Sequence, residues 1–206
     1  ISEHACLLSA PDTYMEKIVI GANLPKNLMD IDYGVKKNIK LLAEAKNKNI
    51  SEINACVLKR PRHDKIVEEL EEMNVNINYI TDGDIAGALS VIGDKPKNDI
   101  YYSTGGGPEG VIVAAALSCY GGQIQGRLVL NEDEKIRAKK LGIKDFNKKY
   151  NIDDMVKGDV IFCATGVTSG DLAVGVKDLG NEFEVNTFAL HKSQNIIKTI
   201  SNIYNK

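Results

Sequence analysis

Three successive stretches in the middle of the chain repeat one pattern: a short run rich in β-branched or aromatic residues, a polar or glycine-rich loop, then residues spaced for a helix. The pattern predicts β-loop-α units and hence an α/β fold. The first unit places a strand near Ile53 to Leu58, the loop Arg60-Pro61-Arg62-His63-Asp64, and a helix with Ile66, Val67, Leu70 and Met73 on one face. Pro61 donates no ladder hydrogen bond, so the strand should end before it. The second runs from Asn76 to Ile80 as strand, through Asp82-Gly83-Asp84, into a helix over Ile85 to Val91. The third has Ile100 to Ser103 as strand, the loop Gly105-Gly106-Gly107-Pro108-Glu109-Gly110, and a helix over Val111 to Cys119.

An amphipathic helix carrying Val35, Ile39, Leu42 and Ala45 precedes these units. After them the spacing predicts a polar helix near Asp133 to Lys140, a strand at Val160 to Ala164, a strand within Phe183 to Leu190, and a C-terminal segment bearing Ile196, Ile197 and Ile200. Leu141 to Lys157 is the most polar stretch and reads as an exposed connection. A chain of 206 residues with 43% hydrophobic content can bury one sizeable core, which predicts a single domain. A net charge of -2, from 26 basic and 28 acidic residues scattered along the chain, leaves no basic stripe for nucleic acid. No apolar run is long enough to span a bilayer, so a cytoplasmic protein is expected. Cys6, Cys56, Cys119 and Cys163 lie far apart in sequence, which reads as reduced, buried thiols rather than disulfides or a zinc site.

In open α/β sheets ligands bind beyond the carboxyl ends of the strands, where strand-to-helix loops gather. All three loops take that position, and they offer guanidinium groups, carboxylates and glycine amides, an inventory suited to a phosphorylated, hydroxyl-rich ligand. Arg60 and Arg62 bracket a proline that stiffens the turn, and guanidinium groups grip phosphate through paired charge-assisted hydrogen bonds. A solvated basic turn is the alternative. His63 reads as a cap or a surface residue. Asp82-Gly83-Asp84 suits sugar hydroxyls or a cation, although on local grounds a turn with Asp84 capping the next helix explains it better.

Gly105 to Gly110 matches G-x-G-x-x-G, yet Glu109 puts a carboxylate where a pyrophosphate would approach the helix, so a dinucleotide fingerprint is rejected. Glu109 suits a metal ligand or a residue favoured by the helix dipole. Thr165 to Asp171 is a further glycine-rich loop, for which a phosphate contact and a tight turn followed by an Asp helix cap are equally good readings.

Ala10-Pro11-Asp12-Thr13-Tyr14-Met15-Glu16-Lys17, Arg60-Pro61-Arg62-His63-Asp64, Asp82-Gly83-Asp84, Gly105-Gly106-Gly107-Pro108-Glu109-Gly110, Gly126-Arg127-Leu128 and Phe162-Cys163-Ala164-Thr165-Gly166-Val167-Thr168 follow one another along nearly the whole chain. In that order they resemble the class II fructose-1,6-bisphosphatases of bacteria, including the bifunctional forms that also cleave sedoheptulose-1,7-bisphosphate. The resemblance implies a layered α/β sandwich of the metal-dependent sugar phosphatase superfamily, with residues 1 to 206 as its C-terminal portion. It implies a gluconeogenic hydrolase using Mn²⁺ or Mg²⁺ on fructose 1,6-bisphosphate, with sedoheptulose 1,7-bisphosphate as a second substrate and a homo-oligomer left open.

By the same resemblance Tyr14, Arg60, Pro61, Arg62, Asp82, Gly83, Asp84 and Gly106 bind substrate and Glu109 binds metal; the family often has Lys where Arg60 stands. The family's acidic N-terminal motifs find no match. With Ile1 in place of an initiator Met, the chain therefore reads as a substrate-binding piece of a longer protein, without catalytic residues of its own and inactive alone. A non-catalytic sugar-phosphate-binding or regulatory module is the rival reading.

Overall fold

The fold was analysed in a computed structural model that describes residues 1–4, 6–170 and 172–206. Strand β1 (Tyr14–Ile20) is followed by α1 (Gly34–Lys46), β2 (Asn54–Leu58), α2 (Asp64–Glu72), β3 (Asn76–Ile80), α3 (Asp84–Leu89), β4 (Ile100–Gly106) and α4 (Gly107–Tyr120). Then come β5 (Gln123–Val129), α5 (Glu132–Lys140), β6 (Lys149–Tyr150), α6 (Ile152–Met155), β7 (Ile161–Thr165), β8 (Lys177–Asp178), β9 (Glu182–His191) and β10 (Ile196–Asn205). The three strand–helix pairs expected from sequence are present, the first two joined by loops.

Strands β1 to β6 form a sheet in the order β3-β2-β4-β1-β5-β6. β2 runs parallel to both β3 and β4, while β1 runs antiparallel to β4 and β5. The path steps outward from β2 to β3 and then back across to β4, so right-handed crossovers put α2 and α3 on opposite faces. Ile66, Val67 and Leu70 of α2 join Ile39 and Leu42 of α1 over one face, whereas Ala88 and Leu89 of α3 join α4 over the other. Each fully buried Leu or Ile in these layers contributes about 1.5–3 kcal/mol relative to exposure.

Alternation along β1 divides its side chains accordingly, with Met15 and Val19 in the α3/α4 layer and Ile18 and Ile20 in the α1/α2 layer. Helix α4 is apolar almost all round because it is covered twice. Its second cover is a smaller sheet, β10-β9-β7 with β8 on β9, whose Phe162 and Leu190 join the same core. The layers run helix, sheet, helix, sheet, a layered α/β sandwich as expected.

Several local expectations need correction. β1 and β5 were not anticipated as strands. Leu141 to Lys157 is more than an exposed connection: β6 pairs with β5, and Ile143, Tyr150, Met155 and Val156 are buried. The glycine-rich segment is not a loop between strand and helix, because β4 runs to Gly106 and α4 begins at Gly107. Of the four thiols, which form no disulfide, Cys56 is buried but Cys163 is exposed. The expected helix cap at Asp171 lies outside the described residues, and no helix follows at 172–176. Among the described residues no helix is long and apolar enough to cross a membrane.

Candidate functional site

The carboxyl ends of β2, β3 and β4 lie at one edge of the large sheet, and antiparallel β1 brings its first residue there, with Tyr14 opposite Gly106. The segments that follow β2, β3 and β4 therefore start from the same rim.

At the centre is a part-buried ion pair. Lys17, on the α3/α4 face of β1 and fully buried, donates to the carboxylate of Asp84 and, at 3.0 Å, to the Gly106 carbonyl. The Tyr101 hydroxyl also donates to Asp84, and the Ser103 hydroxyl does so at 3.0 Å. Burial pushes the Lys17 ammonium below its usual range, and Asp84 opposes that push. Burial first, and then Asp84, push the Tyr101 phenol upward, which keeps it a donor. Asp84 is not the helix cap expected on local grounds: Gly83, in the left-handed region at φ 83°, caps α3, and the Asp84 side chain turns inward. A Cβ at 105 would run into the Asp84 carboxylate, which its partners hold in place, and one at 106 would displace the Glu109 carboxylate.

Around this pair stand the residues with solvent access. The Arg62 guanidinium lies 4.8 Å from the centroid of the Tyr14 ring, which is 53% exposed, and its Nε donates to the Thr104 carbonyl at 2.7 Å. A cation over an aromatic face, tied to backbone besides, is held in place before any anion arrives. Arg60 instead donates to the carbonyl of Lys59 at 2.8 Å and lines a groove with Pro61 and Tyr79. Arg62 thus joins the Tyr14–Gly106 cluster, while Arg60 lines the neighbouring groove. Asp82 accepts from the Gly83 amide at 2.8 Å and is exposed.

Sequence reasoning undervalued His63. It is buried; its Nε2 accepts from the Thr104 amide at 2.8 Å, so Nδ1 carries the proton and donates to the Leu58 carbonyl at 2.5 Å. Burial pushes its pKa below the usual histidine range. This neutral ring ties the end of β2 to β4 and so fixes the turn that carries Arg62. Lys17, Tyr101 and Ser103 were missed as site residues, because their links to Asp84 span distant parts of the sequence.

The candidate metal ligand Glu109 sits in the first turn of α4 above Gly106, close enough to favour the charged form of Lys17. Among the described residues no group of three or more His, Cys, Asp or Glu side chains comes together to hold a metal ion. The second carboxylate nearby, Asp84, is taken up by Lys17, Tyr101 and Ser103. These residues do not fit a metal centre by themselves; what they can do is bind and orient an anion and its hydroxyls.

Comparison with known proteins decides what family this site belongs to. The sequence model described as bacterial fructose-1,6-bisphosphatase, glpX-encoded, matches residues 1–204. The chain belongs to that family. It is 34% identical to the fructose-1,6-bisphosphatase class 2 of Haemophilus influenzae, across 96% of this chain and 63% of that protein. It is 32% identical to fructose-1,6-bisphosphatase 1 class 2 of Escherichia coli K12, across 99% of this chain and 65% of that one. To the D-fructose 1,6-bisphosphatase class 2/sedoheptulose 1,7-bisphosphatase of Synechococcus it is 34% identical, with 100% and 63% covered. The chain thus spans under two thirds of the length of these bisphosphatases.

Proposed function

We propose that residues 1–206 hold the substrate in a class II fructose-1,6-bisphosphatase that releases the 1-phosphate of fructose 1,6-bisphosphate, giving fructose 6-phosphate and phosphate, as a cytoplasmic step of gluconeogenesis. Sedoheptulose 1,7-bisphosphate, named for the Synechococcus relative, is the second candidate substrate. The observation that carries the reading is the meeting of Tyr14, Arg62 and Gly106 at one sheet edge, where β3 also ends just before Asp82.

Arg62, braced on Tyr14 and Thr104, grips the phosphate that does not react; Arg60 extends the positive field at the same turn. Pro61 stiffens that turn, Gly83 allows the bend beside Asp82, and Asp82 accepts from sugar hydroxyls. Asp84 lies beneath the rim rather than on it: bonded to Lys17, it holds the Gly105–Gly106 backbone where the sugar rests. Mn²⁺ or Mg²⁺, when bound, supplies the charge that lowers a phosphoryl barrier, and such a hard cation needs several oxygen ligands. Glu109 is the ligand we assign from this chain, to be joined by carboxylates beyond residues 1–206.

A phosphate-release assay tests this reading. The chain alone with added Mn²⁺ should stay at blank on fructose 1,6-bisphosphate, and the longer enzyme should turn over. Metal-dependent release by residues 1–206 would place the catalytic centre elsewhere than proposed.

A further inference from the structure

β10 ends the smaller sheet, and no strand pairs with its outer edge among the described residues. Nine of its ten residues are exposed, Ile197, Ile200, Ile203 and Tyr204 among them. Its ladder to β9 is unbroken from Ile196↔His191 to Asn205↔Glu182, so no bulge turns the edge away. The strand has no proline, and Lys198 is its sole charge. A long, regular, apolar edge of this kind is a template for another strand.

The ladder also shows which groups are on offer. The Lys206 amide donates to the Asn181 carbonyl, in register with the β9–β10 pairs. Bonded positions alternate along an antiparallel ladder. Even-numbered residues of β10 therefore turn their N–H and C=O toward β9, and Ile197, Thr199, Ser201 and Ile203 turn theirs toward the open edge.

The sequence of the strand fits itself. Turned end for end about Ile200, it sets Ile200 against Ile200, Thr199 against Ser201, Lys198 against Asn202, Ile197 against Ile203 and Ile196 against Tyr204. Apolar meets apolar, polar meets polar, and the lysines stay apart. A dyad moved to Thr199 would put Ile197 against Ser201; one moved to Ser201 would put Ile203 against Thr199; one at Lys198 would stack lysine on lysine. Only the Ile200 register satisfies both side-chain faces, and one self-complementary patch is what a two-fold interface requires.

We propose that β10 is the edge by which two copies of this chain pair antiparallel about Ile200, joining their smaller sheets into one continuous sheet. Thr199 and Ser201 then exchange backbone hydrogen bonds across the dyad, and the two Ile200 residues form a non-hydrogen-bonded pair.

Sedimentation and site-directed cross-linking test this, in a Cys163→Ser background that removes the exposed native thiol. A non-hydrogen-bonded pair places Cα atoms about 4.5 Å apart, within disulfide range. Ile200→Cys should therefore oxidise to a covalent dimer roughly tenfold more readily than Lys198→Cys, whose two copies would lie about 13 Å apart along the strands. Ile200→Lys, which opposes two ammonium groups, should weaken the dimer about tenfold or more while leaving the melting temperature of the monomer unchanged. A chain that sediments as a monomer, or cross-linking as strong at 198 as at 200, would overturn the proposal. So would loss of the Ile200→Cys cross-link in the longer protein, since that would mean another segment covers the edge.

Discussion

Lys17 is fully buried against Asp84, and that burial sets what substitution should do. Removing one partner of a buried pair leaves the other charge uncompensated, which costs about 3–5 kcal/mol. Asp84→Asn should therefore lower the unfolding free energy by about that much in urea titrations, with Asp82→Asn close to neutral. Equal, small effects would show that the pair is more hydrated than its geometry indicates. His63 predicts a pH dependence. Its folded pKa lies below 6.5, so on acidification the unfolded chain takes up this proton first and stability falls as pH drops below about 6.5. His63→Gln should flatten that part of the stability profile between pH 7.5 and 5.5, and an unchanged slope would remove His63 as its source.

The two arginines should separate in kinetics. In the complete enzyme Arg62→Ala should raise KM about tenfold to a hundredfold with little change in kcat, as expected for the loss of charge-assisted contacts worth about 1.5–3 kcal/mol to a non-reacting phosphate. Arg60→Ala should do less, and the reverse order would reassign the clamp. The sequence made the arginines legible because charge beside a proline at a strand end is a local signal. The links from Asp84 to Lys17, Tyr101 and Ser103 join residues 17 to 67 positions apart in sequence, and no local pattern announces them.

At the scale of elements, the junction of β4 with α4 depends on glycine for space. Gly105→Ala would drive a methyl into the Asp84 carboxylate, which Lys17 and Tyr101 hold in place. We expect a loss of about 1–3 kcal/mol, read as a lower melting temperature. Gly106→Ala would instead displace Glu109, so Mn²⁺ binding in the complete enzyme should weaken with less loss of stability; strong Mn²⁺ binding in that variant would detach Glu109 from the metal. The β-loop-α units were readable because each changes its hydrophobic period at a proline or glycine. β1 was hidden by Lys17, a buried charge in mid-strand, and β5 by Gly126 and Arg127 within its alternation. Leu141 to Lys157 misled because its apolar residues are sparse, yet those few enter the core.

Over the whole molecule, the crossover from β3 back to β4 and the antiparallel entry of β1 gather one candidate edge from four strands. The smaller sheet instead covers α4 and offers its own edge at β10. In the proposed function this chain holds a sugar bisphosphate, while breaking the phosphate bond falls to a cation with more ligands than Glu109. Binding that is equal in ground and transition states gives affinity without turnover. The direct test is to titrate fructose 1,6-bisphosphate into the 206-residue chain without metal and follow backbone amide resonances by NMR. Shifts should concentrate at Tyr14, Arg62, Asp82 and Gly105 to Gly107 and should largely vanish in Arg62→Ala. No saturable shift at that edge, or shifts centred on the smaller sheet, would contradict the account.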